Sequence, residues 1–397
     1  MQYRRDKNGN NISALGFGCM RFPKKYGRID FEKTEALIVE AVEKGINYFD
    51  TAYIYTGSEV TLGEVLNKNK LREKVYIATK LPIVFCKSES DFDKYLEAQL
   101  KRLQTDYIDY YLLHLLSDPA KWEQLQKIGI EGWLKKKQAE GKIHQVGFSF
   151  HGRRDDFPLL LDVFDWDFCM IQYNYVNINY QAGRLGLLKA AEKKLPVFIM
   201  EPLLGGKLAI GLPEKAVRLF EDTAPGRSPA AWSLRWLWNH TEVTMVLSGM
   251  NEFSQLEDNL ATVEDSLPEV LAERELEAVD RVVELFMQGY KIPCTGCNYC
   301  MPCPTNINIP ACFTAYNTTF SAGRYLGMHQ YSMSTGFVSP APGNAGRCTK
   351  CRKCEKHCPQ QIIISERMQD VKRRMEPFWY RLAVKIARFF MRIKGSY

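Results

Sequence analysis

The sequence predicts an α/β protein in which a (β/α)8 TIM barrel is followed by a small cysteine-rich domain. Three observations support this prediction. Strand-like and helix-like segments alternate over roughly the first 290 residues, nine of the twelve cysteines lie between Cys294 and Cys358, and no GxGxxG motif follows a strand-like run. The alternation is typical of a barrel or of a doubly wound open sheet, and the missing glycine motif counts against the open sheet.

The eight strand-like runs are short, apolar and rich in β-branched or aromatic residues. They start, in chain order, at Leu15, Ile46, Val75, Tyr107, Ile143, Phe168, Pro196 and Thr244. Longer segments such as FEKTEALIVEAVEKG separate them, with apolar residues every three or four positions and a glycine at the end. This spacing and the closing glycine are typical of helices.

Composition and charge exclude several classes of protein. The 397 residues are 46% hydrophobic and 25% charged, as in soluble globular proteins. The net charge is +7, but much of the excess lies in the C-terminal VKRRMEPFWYRLAVKIARFFMRIK, so we expect no nucleic-acid partner. The N-terminus does not resemble a secretory signal, and no apolar run is long enough to cross a bilayer, so we expect a cytoplasmic protein.

Four polar residues lie at or just beyond the ends of consecutive strand-like runs. Asp50 ends INYFD, Tyr55 follows it in the next loop, Lys80 ends VYIATK, and His114 ends YIDYYLLH. Singly, such residues are commonly surface ion pairs or structural histidines. The carboxyl ends of barrel strands share one mouth, so these four side chains are expected to converge there as catalytic candidates.

The four residue types form a chemically coherent set. A charged lysine beside a tyrosine favours the phenolate and lowers a tyrosine pKa that is ordinarily about 10. An aspartate keeps that lysine charged, and a neutral histidine can donate a hydrogen bond to a carbonyl oxygen. The set therefore predicts carbonyl reduction, with Tyr55 as the general acid and base.

The same residues lie in motifs that resemble those of the aldo-keto reductase superfamily. The matching segments are FDTAYIYTGSE, ATK and LLH, and VGFSF, IQYN and QLEDN resemble motifs farther along that barrel. The resemblance covers roughly the first 290 residues. It implies a nicotinamide coenzyme across the mouth, with Ser149 and Gln172 on the carboxamide and Asp258 and Asn259 near the adenine. The full set of coenzyme contacts that it implies is Ser149, Gln172, Met200, Leu203, Gly206, Gly249, Gln255, Asp258 and Asn259.

One departure from the family pattern bears on the coenzyme. Where members that use NADP carry a lysine and an arginine for the 2′-phosphate, SGMNEFSQLEDN offers Gly249 and Gln255. We therefore expect NAD(H) to be favoured over NADP(H). Lys207 and Arg153 remain alternative partners for a phosphate.

Two further departures bear on the redox ring. Met200 in MEPL replaces the aromatic residue that stacks on the nicotinamide, and Phe150 replaces an asparagine that contacts the carboxamide, with His151 as a candidate substitute. A flavin at the mouth is therefore an alternative to nicotinamide.

The segments CTGCNYCMPCP and CTKCRKCEKHCP form a second constellation. C-x2-C-x2-C lets one loop bind three irons of a cubane while the fourth ligand comes from elsewhere. We predict two 4Fe-4S clusters with ligands exchanged as in two-cluster ferredoxins. The ligands would be Cys294, Cys297, Cys300 and Cys358 for the first cluster, and Cys348, Cys351, Cys354 and Cys303 for the second.

Some alternatives remain open for these cysteines. The first run has two residues, not three, before its last cysteine, so Cys312 competes with Cys303 as a ligand. Zinc is the structural alternative, although zinc ribbons use pairs of cysteines, and disulfides are disfavoured in the cytosol.

The whole chain resembles aldo-keto reductase barrels fused to a small, mostly helical ferredoxin-like domain. We predict a barrel over residues 1–290, the iron-sulfur domain over 291–370 and a basic amphipathic helix over 371–397. Between the cysteine runs, NINIPACFTAYNTTFSAGRY predicts a short helical insertion, and FVSPAPGNAGR a loop. The C-terminal helix would pack on the protein itself or bind an anionic membrane surface or an acidic redox partner.

Three functions are consistent with these features. The first is hydride transfer between NAD(H) and a carbonyl or alcohol substrate. Hydride carries two electrons whereas each cluster takes one, so the second is electron transfer between a ferredoxin-like partner and a flavin or substrate radical at the mouth. The third is a non-catalytic, redox-sensing subunit, which the intact set of Asp50, Tyr55, Lys80 and His114 disfavours.

Overall fold

The computed structural model describes residues 1–335 and 343–382. Eight parallel strands form a closed barrel in which each strand pairs with the next and the last pairs with the first. The predicted (β/α)8 barrel is thereby confirmed. The strands are β1 Leu15–Gly18, β2 Tyr48–Asp50, β3 Tyr76–Leu81, β4 Ile108–Leu116, β5 Ile143–Phe150, β6 Phe168–Gln172, β7 Val197–Met200 and β8 Val243–Ser248.

Helices follow the strands and continue into the C-terminal part of the chain. Their bounds are α1 Phe31–Glu43, α2 Ser58–Lys68, α3 Glu89–Leu103, α4 Pro119–Lys127, α5 Ile130–Ala139, α6 Asp156–Leu161, α7 Gly183–Glu192, α8 Lys207–Ile210, α9 Glu214–Thr223, α10 Pro229–Trp238, α11 Phe253–Glu264, α12 Glu273–Gly289, α13 Ile309–Ser321, α14 Arg324–Ser334 and α15 Ile364–Met375. No helix among the described residues has the length and apolarity needed to cross a bilayer.

Local sequence signals explain where the helices begin and end. Asp30 caps α1 by accepting a hydrogen bond from the Lys33 amide, and Gly45 follows the helix with a φ of +92°. Ser88 and Asp91 form a capping box at the start of α3. Both devices satisfy amide groups that the first turn of a helix leaves without partners.

Two apolar layers hold the barrel together. Aromatic side chains fill the interior, where the ring centroids of Tyr48 and Tyr110 lie 5.0 Å apart and those of Tyr110 and Phe168 5.2 Å apart. The second layer packs the outward side chains of the strands against the helices. Because the interior is filled by side chains, a ligand can be held only at the mouth.

A short antiparallel pair, Tyr3–Arg5 with Asn11–Ser13, precedes the barrel. Its turn residue Asp6 accepts hydrogen bonds from Tyr110 and Gln145 near the amino ends of β4 and β5. Burial raises the Asp6 pKa, but the hydrogen bonds outweigh burial and leave the pKa lowered. This pair therefore covers the end of the barrel opposite the mouth.

The chain divides into two compact units. The first comprises Met1–Leu204 and Gly226–Leu276, and the second comprises Gly205–Pro225 with the described residues from Glu277 onward. The predicted helical insertion between the cysteine runs is two helices, α13 and α14. Part of the predicted loop at 337–347 and, in the predicted C-terminal helix, the residues beyond 382 lie outside the described residues, and α15 spans the boundary expected at residue 370.

Candidate active site and metal centres

The structure brings Asp50, Tyr55, Lys80 and His114 together at the barrel mouth. Asp50 ends β2, Lys80 lies near the end of β3, and His114 lies near the end of β4. Lys80 Nζ donates to Asp50 Oδ1 at 2.5 Å and to the Thr51 carbonyl at 2.7 Å. The Lys80 and Asp50 side chains are nearly inaccessible to solvent, so this ion pair is buried.

Tyr55 lies in the loop after β2, beside the ion pair. Lys80 Nζ is 4.9 Å from the centroid of the Tyr55 ring. The His114 ring lies 6.0 Å from the Tyr55 ring, centroid to centroid, at an angle of 86°. Hydrogen bonds from the Tyr55 amide to the Ala52 carbonyl and from the Ser58 amide to the Tyr55 carbonyl hold the loop, both at 2.9 Å.

Burial controls the charges at this site. It raises the pKa of Asp50, although the neighbouring Lys80 charge opposes the rise. It also places the pKa of His114 well below 6.5, and the Lys80 charge and His151 lower it further. His114 is therefore neutral at neutral pH, the state that can donate one hydrogen bond to a substrate oxygen.

A second histidine joins the site directly after β5. Burial, followed by the Lys80 charge, lowers the pKa of His151 to about 3, so this side chain is neutral as well. The His151 amide donates to the Leu116 carbonyl at the end of β4, at 3.4 Å. The sequence suggests His151 only as a substitute for the missing asparagine, and its electrostatic contact with Lys80 and His114 depends on the barrel geometry.

A buried polar network supports Lys80 from behind. Gln99 of α3 donates to the Lys80 carbonyl at 3.1 Å, to Thr79 Oγ1 at 2.9 Å and to Glu59 Oε1 at 3.0 Å. Thr79 and Arg102 also donate to the Glu59 carboxylate, at 2.7 and 3.0 Å. The network links α2, α3 and β3, and nothing in the spacing of these residues predicts it.

Three of the residues expected to contact the coenzyme end neighbouring strands. Ser149 Oγ accepts a hydrogen bond from the Leu115 amide at 3.0 Å, which leaves the hydroxyl proton for a ligand. Gln172 Oε1 accepts from Gln181 Nε2 at 3.2 Å. Met200 pairs with Gln172 in the register of β6 and β7 and is half-buried. A hydroxyl and an amide at adjacent strand ends suit a carboxamide, so this part of the mouth fits a nicotinamide.

Phe150 has a different environment from the one that its sequence position suggests. Its side chain is fully buried in the layer between strands and helices, with its ring 4.9 Å from that of Phe157 in α6. The residue therefore packs against α6, and its aromatic character has a structural explanation there.

Four further candidates lie in the loop after β8 and in the first half of α11. Gly249 is exposed, and Gln255 Oε1 accepts from the Asn251 amide at 2.9 Å. Asp258 accepts from Ser228 Oγ at 2.6 Å. Asn259 is buried and donates to Ser248 Oγ at 3.0 Å, so its side chain fastens α11 to the end of β8.

The last two candidates follow β7. Leu203 is half-buried in the first unit. Gly206 belongs to the second unit and has a φ of +93° directly before α8, a conformation that favours glycine.

The eight predicted cluster ligands line two separate small cavities in the second unit. Each cavity contains three cysteines of one run and the last cysteine of the other. The thiols of the first cavity are Cys294, Cys297, Cys300 and Cys358. Those of the second cavity are Cys303, Cys348, Cys351 and Cys354.

Cys312 lines neither cavity. It is fully buried in α13, and its thiol contacts the Gly343 carbonyl at 3.6 Å. Among the residues described, no three His, Cys, Asp or Glu side chains are grouped closely enough to hold one metal ion. A tetrahedral zinc draws four sulfur atoms to about 2.3 Å from a single ion, whereas a cubane gives each thiolate its own iron. The arrangement of the thiols therefore fits clusters better than zinc.

The two cysteine runs share a backbone conformation. The residues flanking the second cysteine of each run have positive φ, at 72° for Gly296 and 66° for Asn298, and at 58° for Lys350 and 57° for Arg352. Left-handed residues within such turns create concave groups of amides that bind anions, including iron-sulfur clusters.

The correspondence continues beyond the last cysteine of each run. Asn306 and Gln361, with φ of 60° and 49°, donate their amides to the carbonyls of Cys303 and Cys358 at 2.9 and 3.0 Å. The helices α13 and α15 then begin at equivalent positions. The second unit therefore contains an internal structural repeat that extends beyond the matched C-T-x-C-x2-C and Cys-Pro segments of the sequence.

Comparison with known protein families finds one match over the barrel and another over the cysteine-rich part of the chain. The Aldo/keto reductase family matches residues 14–284, and a 4Fe-4S dicluster domain matches residues 293–363.

Curated relatives are similar over the barrel. Aldo-keto reductase yakc of Schizosaccharomyces pombe, whose name specifies NADP(+), is 24% identical over 314 residues, covering 69% of this chain and 91% of the relative. L-galactose dehydrogenase of Arabidopsis thaliana is 27% identical over 306 residues, covering 70% and 92%. Methylglyoxal reductase YeaE of Escherichia coli is 29% identical over 240 residues, covering 59% and 81%.

Solved structures show the same fold. An aldo-keto reductase from Bacillus halodurans in its holo form has a TM-score of 0.59 and 25% identity, covering 71% of this chain and 96% of the other. An aldo-keto reductase from Klebsiella pneumoniae in complex with NADPH has a TM-score of 0.59 and 24% identity, covering 71% and 95%.

Proposed function

Because the chain belongs to the aldo/keto reductase family through residues 14–284 and is an oxidoreductase, we propose that its barrel reduces a carbonyl compound or oxidises the corresponding alcohol. The observation that carries this proposal is the buried Lys80–Asp50 pair beside Tyr55 and His114. A nicotinamide bound at the mouth would supply or accept the hydride.

In this proposal Tyr55 moves the proton. The charge of Lys80 favours the Tyr55 phenolate, and Asp50 forms the buried ion pair that holds Lys80 beside the Tyr55 ring. During reduction Tyr55 donates its hydroxyl proton to the developing alkoxide, and during oxidation the phenolate takes the proton from the alcohol.

His114 orients the substrate. Its low pKa keeps the imidazole neutral, so it can donate one hydrogen bond to the carbonyl oxygen without supplying a net charge. A carbonyl held between Tyr55 and His114 is polarised from two directions, which favours attack at its carbon.

The coenzyme would be held by Ser149 and Gln172 at the carboxamide. NAD(H) is favoured because Gly249 and Gln255 offer no cation to a 2′-phosphate. The name of the Schizosaccharomyces pombe relative specifies NADP(+), so activity with NADH has to be compared with activity with NADPH. The flavin alternative keeps Met200 as its only supporting residue, because Phe150 packs against α6.

The eight cysteines would hold two 4Fe-4S clusters with exchanged ligands. Each cavity supplies four thiols, and Cys303 completes the second set in place of Cys312. A 4Fe-4S cluster gives or accepts one electron at a time. The amides of the left-handed turns would stabilise the negative charge of each cluster.

Exposed apolar side chains near the mouth bear on the substrate. Met20 and Tyr26 follow β1, while Val84 and Phe85 follow β3, and all four are exposed, with Tyr26 at 95%. Loops after barrel strands shape the substrate pocket. We therefore expect an apolar or aromatic carbonyl compound to be turned over better than a sugar.

The decisive experiment compares Tyr55→Phe with Tyr53→Phe. Loss of the Tyr55 hydroxyl should lower kcat by about 10²–10⁴-fold, the usual contribution of a general acid, and leave coenzyme affinity unchanged. Tyr53 lies in the same loop as Tyr55, and its ring packs against Arg102 of α3. It is the matched control and should keep its activity. Turnover of an aromatic aldehyde would be measured with NADH and with NADPH, and coenzyme affinity by fluorescence titration. Unchanged turnover in Tyr55→Phe would refute the proposed role of Tyr55.

A further inference from the structure

The second cysteine run carries a concentration of positive charge that the first run lacks. Four exposed cations, Lys350, Arg352, Lys353 and Lys356, lie between its cysteines, and we call them the basic face. The single acid among them, Glu355, is half-buried and accepts a hydrogen bond from the Ser365 amide at 2.8 Å. Residues 293–304, around the first run, contain no charged side chain.

The cations of the basic face have no acidic ion-pair partner in the part of the chain that the structure describes. Within residues 1–335 and 343–382, none of its four cations takes part in an ion pair, whereas exposed barrel lysines such as Lys189 and Lys193 pair with Glu192 and Asp162. Like charges held on one short loop repel each other and destabilise the folded state. An acidic counterpart from outside the chain would remove this repulsion.

The charge is concentrated where a cluster ligand is most accessible. Cys351 is exposed, while the other seven predicted ligands are half-buried. Lys350 and Arg352 flank Cys351 directly. An electron passes efficiently only over a short distance, so the exposed ligand marks the place at which a carrier must approach the second cavity.

We propose that the basic face is the docking surface for a small acidic electron-carrier protein. This proposal rests on the proposed binding of two 4Fe-4S clusters by the eight cysteines. In the encounter, the reduced centre of the carrier would lose one electron and a cluster held by the thiols of the second cavity would gain it, with no bond made or broken and no proton moved. Complementary charge steers such encounters, and electron-transfer interfaces are small enough for one loop to dominate them.

The test uses the holoprotein and an acidic two-cluster bacterial ferredoxin as the probe. Binding is measured by surface plasmon resonance at about 50 mM and about 300 mM NaCl, which changes the screening of surface charges. A triple variant, Lys350→Glu, Arg352→Glu and Lys353→Glu, should weaken binding about tenfold or more at low salt. The matched control reverses Lys101, Lys127 and Lys135, which are exposed on barrel helices, and should bind like the wild type.

Iron analysis of every preparation separates the two proposals. If the glutamate variant loses iron, the corresponding glutamine variant, which removes charge without reversing it, replaces it in the comparison. Clusters present with equal binding by the basic-face and control variants would overturn the docking surface and leave the cluster assignment intact. Wild-type protein without iron would overturn the cluster assignment itself. Equally tight binding of a single-stranded DNA, lost in the same variant, would overturn the choice of partner.

Discussion

Asp50→Asn should destabilise the barrel by about 3 kcal/mol. Removing one partner of a buried ion pair costs about 3–5 kcal/mol, because the other charge stays buried without compensation. Lys80 is 2% exposed and cannot reach water without a rearrangement of the mouth. The asparagine oxygen and the Thr51 carbonyl still accept hydrogen bonds from Lys80, which places the expected loss at the lower end of the range.

Urea unfolding, monitored by tryptophan fluorescence, measures this loss of stability. Six of the seven tryptophans precede residue 240, so the signal reports mainly the first unit. Asp162→Asn, which breaks the exposed Asp162–Lys193 pair, is the matched control and should cost about 0–1 kcal/mol.

The double variant Asp50→Asn with Lys80→Met supplies the critical comparison. It removes both charges from the mouth, so it should recover most of the stability that Asp50→Asn loses. Two results would show that the buried charge is not what destabilises the protein. In the first, Asp50→Asn costs no more stability than Asp162→Asn. In the second, the double variant loses the sum of what Asp50→Asn and Lys80→Met lose singly.

Two further predictions concern the histidine and the cysteines. In the folded state burial holds the pKa of His114 well below 6.5, so the unfolded chain takes up a proton first as the pH falls. The contribution of neutral His114 to the free energy of unfolding is therefore complete above pH 6.5. Below that pH it is lost by about 1.4 kcal/mol for each pH unit. Urea unfolding of His114→Gln between about pH 7 and about pH 5.5 should therefore show a weaker pH dependence than the wild type, and parallel curves would contradict the burial argument. Cys303→Ser should lose about half of the iron, roughly four atoms per chain, whereas Cys312→Ser should keep all of it, and the reverse result would exchange their roles.

Much of the fold was predictable from local patterns. The eight strand-like runs all became barrel strands because apolar strands followed by amphipathic helices have few other ways to bury their surfaces. The convergence of Asp50, Lys80 and His114 followed from the same geometry, since they end consecutive parallel strands. Their spacing in the sequence needs only the barrel to become a cluster in space.

Other features cannot be predicted from the sequence because they depend on tertiary contacts. The Gln99 network behind Lys80 joins residues from two helices and a strand, with no short-range signature. Asn259 fastens α11 to β8 through Ser248, although its motif suggested only a coenzyme contact. The substitution at Phe150 looks like a change in the mouth until its packing against Phe157 is known.

Each cysteine run contributes thiols to both cavities, and this exchange determines how the second unit can lose its cluster ligands. If residues 294–321 detach, they withdraw three thiols from one cavity and a fourth from the other, and residues 348–375 do the same in reverse. Neither cavity can open alone. A protease that detaches either segment would therefore remove ligands from both proposed clusters at once, whereas a change at a single cysteine affects only one of them.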